Sequence, residues 1–205
     1  MKPKSNYINR EQFNDILDYI PELGIRKWAD EDVRMSMKIA YYCALRYGSE
    51  VAKLTKGSFD FQRHEVYLGR TKTRKEDYGV IPKFFEPELN EYLMKKNDTD
   101  FILSPPPTRK TMYDWLMRTG AELGIEAFLT PQKITGEKTK MHIFRKSFLK
   151  DMHNGTFGKK ATLGAIQSHA RHKDLLQTVR YLRLDIEGAK EYFDDDAISD
   201  ELTEN

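Results

Sequence analysis

Phe13, Ile16, Leu17 and Ile20 recur at three- and four-residue intervals, which predicts an amphipathic helix over residues 9–20. A second, more apolar helical pattern runs over 30–47 and is closed by Gly48. A short helical segment follows at 49–54. The period then shortens. Residues 58–61, 65–68 and 78–81 read as short strands, the last two joined as a hairpin across the polar tip TKTRKED. Helical spacing returns over 84–96, an extended piece occupies 101–103, and the prolines at 105–107 break the chain. Further helices are predicted over 108–123, with Thr108 or Thr111 as cap, and over 141–153, 160–169 and 175–182; residues 131–139 form a polar loop. The fold class is mainly α with a small antiparallel β-sheet, in a single domain without internal repeats.

Composition narrows the class without naming a function. The 205 residues are 39% hydrophobic and 32% charged, and no apolar run nears the roughly 20 residues that a membrane-spanning helix needs. The N-terminal MKPKSNYINR lacks the apolar stretch of a signal peptide. A single cysteine, Cys43, rules out an internal disulfide, and its apolar surroundings predict a buried thiol in a cytoplasmic protein. The net charge of +2 hides an asymmetry: residues 131–183 hold twelve Lys and Arg against three acids, a net of +9, whereas 184–205 hold nine acids against Lys190, a net of −8. A basic body of this kind suits a polyanion, nucleic acid foremost.

The basic residues are also candidates for chemistry. Tyr181 stands among Arg171, His172, Lys173, Arg180 and Arg183, and positive neighbours favour the phenolate of a possible nucleophile. Arg46 sits at the end of an apolar helix beside a tight turn. His142 and Arg145 are three residues apart, on one helical face. His172 precedes Tyr181 by nine residues, and the hairpin tip offers Lys72 and Lys75. Taken singly, each has an ordinary reading: a helix-capping arginine, packing histidines such as His64, His153 and His169, a hairpin-tip lysine, a core tyrosine. No carboxylate cluster of metal-ligand character accompanies them, so no metal or other cofactor is expected.

In this order the pieces resemble the tyrosine recombinases of the phage-integrase family over about residues 8–185. The matching boxes are Ala44-Leu45-Arg46 with Ser49-Glu50-Val51, Lys72 in GRTKTRKEDYGVIP, His142 to Arg145, and ARHKDLLQTVRY with His172 and Tyr181. The lysine after Arg145 leans toward archaeal viral integrases. Departures are an extra residue between Arg46 and Glu50, a longer hairpin tip that keeps Lys75 as a second candidate, an expanded HNGTFGKKATLG, and Arg171 where the family usually has glycine. The resemblance implies that Arg46, Lys72, His142, Arg145, His172 and Tyr181 carry metal-independent strand cleavage and rejoining through a 3′-phosphotyrosyl bond, with Glu50 structural. It implies double-stranded DNA as partner and a tetramer on paired sites. It also implies a catalytic domain over 1–185 without the N-terminal helical domain usual in the family, followed by an acidic tail over 186–205. That tail, with a short helical turn at 189–193, is expected to dock on protein in cis or on a neighbour. A type IB topoisomerase and a non-catalytic DNA-binding protein are the rival readings.

Overall fold

The computed structural model describes residues 7–70, 75–129 and 140–182, with Arg180 and Tyr181 described by backbone only. Lys72, the 131–139 loop and the acidic tail therefore lie outside the described residues. The chain divides into two compact units, Met1–Asp151 and Met152–Asn205.

The first unit opens with α1 (Arg10–Asp18), started by a reciprocal cap in which Asn9 Oδ1 accepts from the Gln12 amide at 2.8 Å and Gln12 Oε1 accepts from the Asn9 amide at 3.0 Å. It stops two residues short of the predicted end, and Pro21 opens a 3₁₀ turn over Ile20–Leu23. Helix α2 (Asp30–Tyr42) carries three acids in its first turn, where the positive end of the helix dipole favours them.

Helix α2 ends five residues before its predicted limit, and Gly48 is not its terminator. Ala44 turns left-handed (φ 50°), its amide bonding Tyr41 O at 3.1 Å while the Leu45 amide reaches back to Ala40 O at 2.9 Å. The reason is burial. In a continuing helix Leu45 and Tyr47 would lie about 200° apart and could not both face the core. The turn gives both of them zero exposure and leaves Arg46 between them at the surface.

Three antiparallel strands follow in the order β1 (Phe59–Asp60), β2 (Glu65–Arg70), β3 (Glu76–Val80), with Val66 opposite Gly79 and Tyr67 opposite Tyr78. The hairpin strands outrun their predicted ends by two residues on each side, and the register shifts between Tyr67 and Arg70. At Gly79 this sheet comes close to the α2 turn: a methyl group there would sit 2.9 Å from Val66 Cγ1 and 3.1 Å from Leu45 Cδ2. Helices α3 (Glu86–Met94) and α4 (Arg109–Glu122) come next, and Thr108 rather than Thr111 caps α4. A one-turn helix α5 (Glu126–Leu129) was not foreseen. A 3₁₀ turn, Lys140–His142, then leads into α6 (Ile143–Asn154).

Aromatic residues fill the core of this unit. Phe13 stacks on Tyr41 with ring centroids 4.0 Å apart, Phe13 and Tyr47 each meet Phe144 edge-on, and Tyr41 meets Phe148 in the same way. Cys43 is buried in this unit and forms no disulfide. The Tyr41 hydroxyl donates to buried Asp151.

The second unit contains α7 (Leu163–Ala170) and α8 (Leu175–Leu182), which pack on each other. Helix α7 starts three residues later than predicted because Thr162 caps it, its side chain accepting from the Ala165 amide at 3.2 Å. No helix among the described residues is long and apolar enough to cross a membrane.

Candidate active site

Three segments far apart in sequence meet at Gly48. A methyl group on Gly48 would lie 2.2 Å from Met141 Cε and 3.0 Å from Arg109 Cγ, so with any larger residue the Met141 side chain would have to shift. The turn after α2 carries Arg46 to this junction, the start of α4 carries Arg109, and the 3₁₀ turn ahead of α6 carries His142.

Arg46 is held from both ends. Its neighbours Leu45 and Tyr47 are anchored in the core, while its own side chain is 48% exposed. Glu50, with a side chain only 10% exposed, accepts from Arg46 Nη1 through one oxygen and from the Arg46 amide through the other, both at 2.8 Å. Glu50, expected to be structural, thus holds Arg46 despite the extra residue between them. Arg145 stands in the first turn of α6 and is 4% exposed. Its predecessor Phe144 packs on Tyr47, the residue after Arg46, at 5.5 Å. One aromatic contact therefore fixes the backbones beneath both arginines.

His142 is half-buried and occupies the last position of the 3₁₀ turn, so the expectation of a single helix bearing both His142 and Arg145 is corrected. Burial pushes its pKa down to about 4, helped by Arg46 and Arg145, opposed by Glu50, and lowered further by Arg109. The ring is neutral at pH 7. Lys140, two residues earlier, is 2% exposed and donates from Nζ to Ala127 O at 2.6 Å, tying the turn to α5.

Of the two hairpin lysines, Lys72 lies outside the described residues. Lys75 is exposed immediately before β3. The same strand packs through Gly79 against Leu45, next to Arg46.

The second unit holds the other two candidates. His172 follows Arg171, a left-handed residue (φ 55°) whose amide bonds Ser168 O at 3.0 Å while the His172 amide reaches Gln167 O at 3.1 Å. His172 Nδ1 lies 3.0 Å from Oγ1 of fully buried Thr178, and Gln167 Nε2 donates to His172 O at 3.3 Å. The ring is oriented through Nδ1. If Thr178 donates, the ring proton sits on Nε2. Tyr181 has its backbone in the last turn of α8, three residues after Thr178.

Four buried tyrosines are poor nucleophiles. Burial raises the pKa of Tyr41, Tyr42, Tyr47 and Tyr92, and hydrogen bonds to Asp151 and Asp32 raise Tyr41 and Tyr92 further. Sequence reasoning missed Arg109 and Lys140 in the first unit and Thr178 in the second. Only Arg109 left a signal, a cation directly after the Thr108 cap.

With this geometry in view, the fold is that of the tyrosine recombinases. It superimposes on the crystal structure of XerA recombinase with a TM-score of 0.64 at 16% identity, over 93% of this chain and 64% of that one. It also superimposes on XerH bound to palindromic difH substrate in a post-cleavage complex, with a TM-score of 0.60 at 20% identity, over 95% of this chain and 54% of that one. Residues 6–187 match the phage integrase family, and the chain belongs to that family. Tyrosine recombinase XerA of Thermococcus onnurineus (strain NA1) is 28% identical over 194 residues, which cover 90% of this chain. The chain spans 60% of the length of that curated relative.

Proposed function

We propose that this chain is the catalytic part of a site-specific DNA recombinase that cuts and rejoins strands through a covalent tyrosyl intermediate. The observation that carries the reading is the junction where Arg46, clamped by Glu50, and the buried Arg145 both act on the half-buried His142. A phosphoryl group in transfer concentrates negative charge on its non-bridging oxygens, and guanidinium forks match those oxygens in geometry and charge. In this reading Arg46 and Arg145 grip the scissile phosphate, and His172 adds a donor from Nε2.

The Tyr181 oxygen then bonds to phosphorus as the bond from phosphorus to the 5′-oxygen breaks. The phenolic proton passes to His142, and Lys72, or Lys75, supplies a proton to the departing 5′-oxygen. A ring with a pKa of about 4 is a weak base for a phenol. The phosphate itself offsets this, because its negative charge counters the two arginines and raises His142. Reversal with another strand's 5′-hydroxyl as nucleophile rejoins DNA without an external energy source.

Double-stranded DNA is the partner in this reading, with a tetramer on paired sites and action on DNA in the host cytoplasm. The acidic tail would dock through Ile186, Tyr192 and Phe193, and residues 1–185 would form the catalytic domain. The test is a nicked suicide substrate. The unsubstituted chain is expected to form an SDS-resistant adduct in EDTA, and Tyr181→Phe to form none while still binding DNA. An adduct with the Phe variant would remove Tyr181 from its role. Strand exchange between paired sites, rather than relaxation of supercoils, separates recombinase from topoisomerase.

A further inference from the structure

The junction at Gly48 contains an arginine that the chemistry above does not use. Arg109 is the first residue of α4 and is exposed. Its Cα and Cγ lie 3.7 and 3.0 Å from the place a Gly48 methyl would take, two residues from Arg46 in sequence. None of the ion pairs among the described residues takes in Arg109, whereas its neighbour Lys110 is paired with Asp114. Around His142 there are then three guanidiniums and one carboxylate.

That arrangement is costly without an anion and well suited to more than one. Arg145 is buried and Arg46 is tied to Glu50, whereas Arg109 is exposed at the start of α4, so Arg109 lies on the outer side of the cluster. Phosphates on one DNA strand succeed each other about every 3.4 Å along the helix axis. A cation beyond the central pair is therefore matched to the next phosphate.

We propose that Arg109 grips the phosphodiester adjacent to the one held by Arg46 and Arg145, setting the register of the strand across the Gly48 junction. This rests on the function proposed above. Arg109 is in this sense a positioning residue: it acts on the reacting phosphate through its neighbour.

The experiment uses the full chain in a Tyr181→Phe background, so that duplex binding is read without cleavage. Arg109→Gln is expected to make the slope of log affinity against log salt shallower by about 0.9, the loss of one phosphate contact. Lys110→Gln, a charge change of equal size in the same helical turn, is expected to leave the slope nearly unchanged. Single methylphosphonates are then placed along the cleaved strand. One that neutralises the phosphate beside the cleavage point should weaken binding to the parent protein and have little effect on Arg109→Gln. An unchanged slope in Arg109→Gln, equal slope changes for the two variants, or a methylphosphonate effect that persists fully in Arg109→Gln would each overturn the proposal. Adduct formation by the chain with Tyr181 intact reports separately on the proposed function. If that adduct forms while the slope is unchanged, only the role of Arg109 falls.

Discussion

Two helix ends in this protein are built alike and used differently. Helix α2 ends with left-handed Ala44, and α7 ends with left-handed Arg171; in each, the following amide reaches back five residues to a carbonyl. Glycine is the usual occupant of such a position because a Cβ there costs roughly 1–2 kcal/mol. The α2 turn is sunk in the core, with Ala44, Leu45 and Tyr47 at zero exposure, and it lifts Arg46 out between them. The α7 turn is only partly buried, and it presents His172 directly, with Thr178 orienting the ring. The difference teaches where rigidity comes from. At Arg46 it comes from packing and a carboxylate, and at His172 from hydrogen bonds.

The largest effect should separate the two turns by chemistry. Arg46→Lys keeps the charge and loses the fork, and single-turnover cleavage of a nicked substrate is expected to fall about 100- to 1000-fold. His172→Gln keeps a donor at similar reach and is expected to lose about 10-fold. The reverse order would mean that the hydrogen-bonded turn, not the packed one, presents the principal phosphate ligand.

A smaller effect concerns the clamp. Glu50→Gln keeps a hydrogen-bonding side chain of the same size and removes the ion pair to Arg46. A loss of about 10-fold in cleavage is expected, with melting temperature changed by only a few degrees. Equal cleavage by both proteins would show that packing alone positions Arg46.

Acid should distinguish the first site as well. His142 has its pKa at about 4 in the folded chain, below the ordinary 6.5. As pH falls, the unfolded chain takes up this proton first. The resulting stability is complete above pH 6.5 and is lost as pH falls toward 4. Denaturant unfolding across that window should show a slope that His142→Gln flattens, and binding of DNA should move the His142 titration upward in NMR spectra.

The smallest effect tests the left-handed residues themselves. At position 171, Arg171→Gly is expected to be more stable than Arg171→Ala by about 1 kcal/mol, the strain a Cβ adds there. At position 44 the Ala44→Gly change should be nearly neutral, because relief of strain is offset by the loss of a fully buried methyl worth about 0.8 kcal/mol. A clear gain at both would mean that the core does not use the Ala44 methyl.

The order of elements was legible in the sequence because periodicity changes sharply at residue 58 and returns to helical at 84. The end of α2 was not, since the apolar pattern continues through Leu45 and Tyr47 and conceals the turn that lets both be buried. The boxes around Arg46, His142, Arg145, His172 and Tyr181 could be read by their order and spacing. Gly48 read as a helix terminator, although its task is to admit Met141 and Arg109. Lys140 and Thr178 act through hydrogen bonds, to Ala127 O and to the His172 ring, which no periodic pattern announces.

An arginine on a protein surface samples many rotamers, and freezing it on a ligand costs roughly 2 kcal/mol of entropy. Glu50 has already removed much of that freedom from Arg46: one carboxylate oxygen holds Nη1 at 2.8 Å, and the other is fixed on the Arg46 backbone amide at 2.8 Å. The disorder is lost when the chain folds rather than when the strand arrives. Under the proposed function, DNA meets a fork whose direction is set in advance, and the binding energy of the duplex is left to distort the strand at the phosphate.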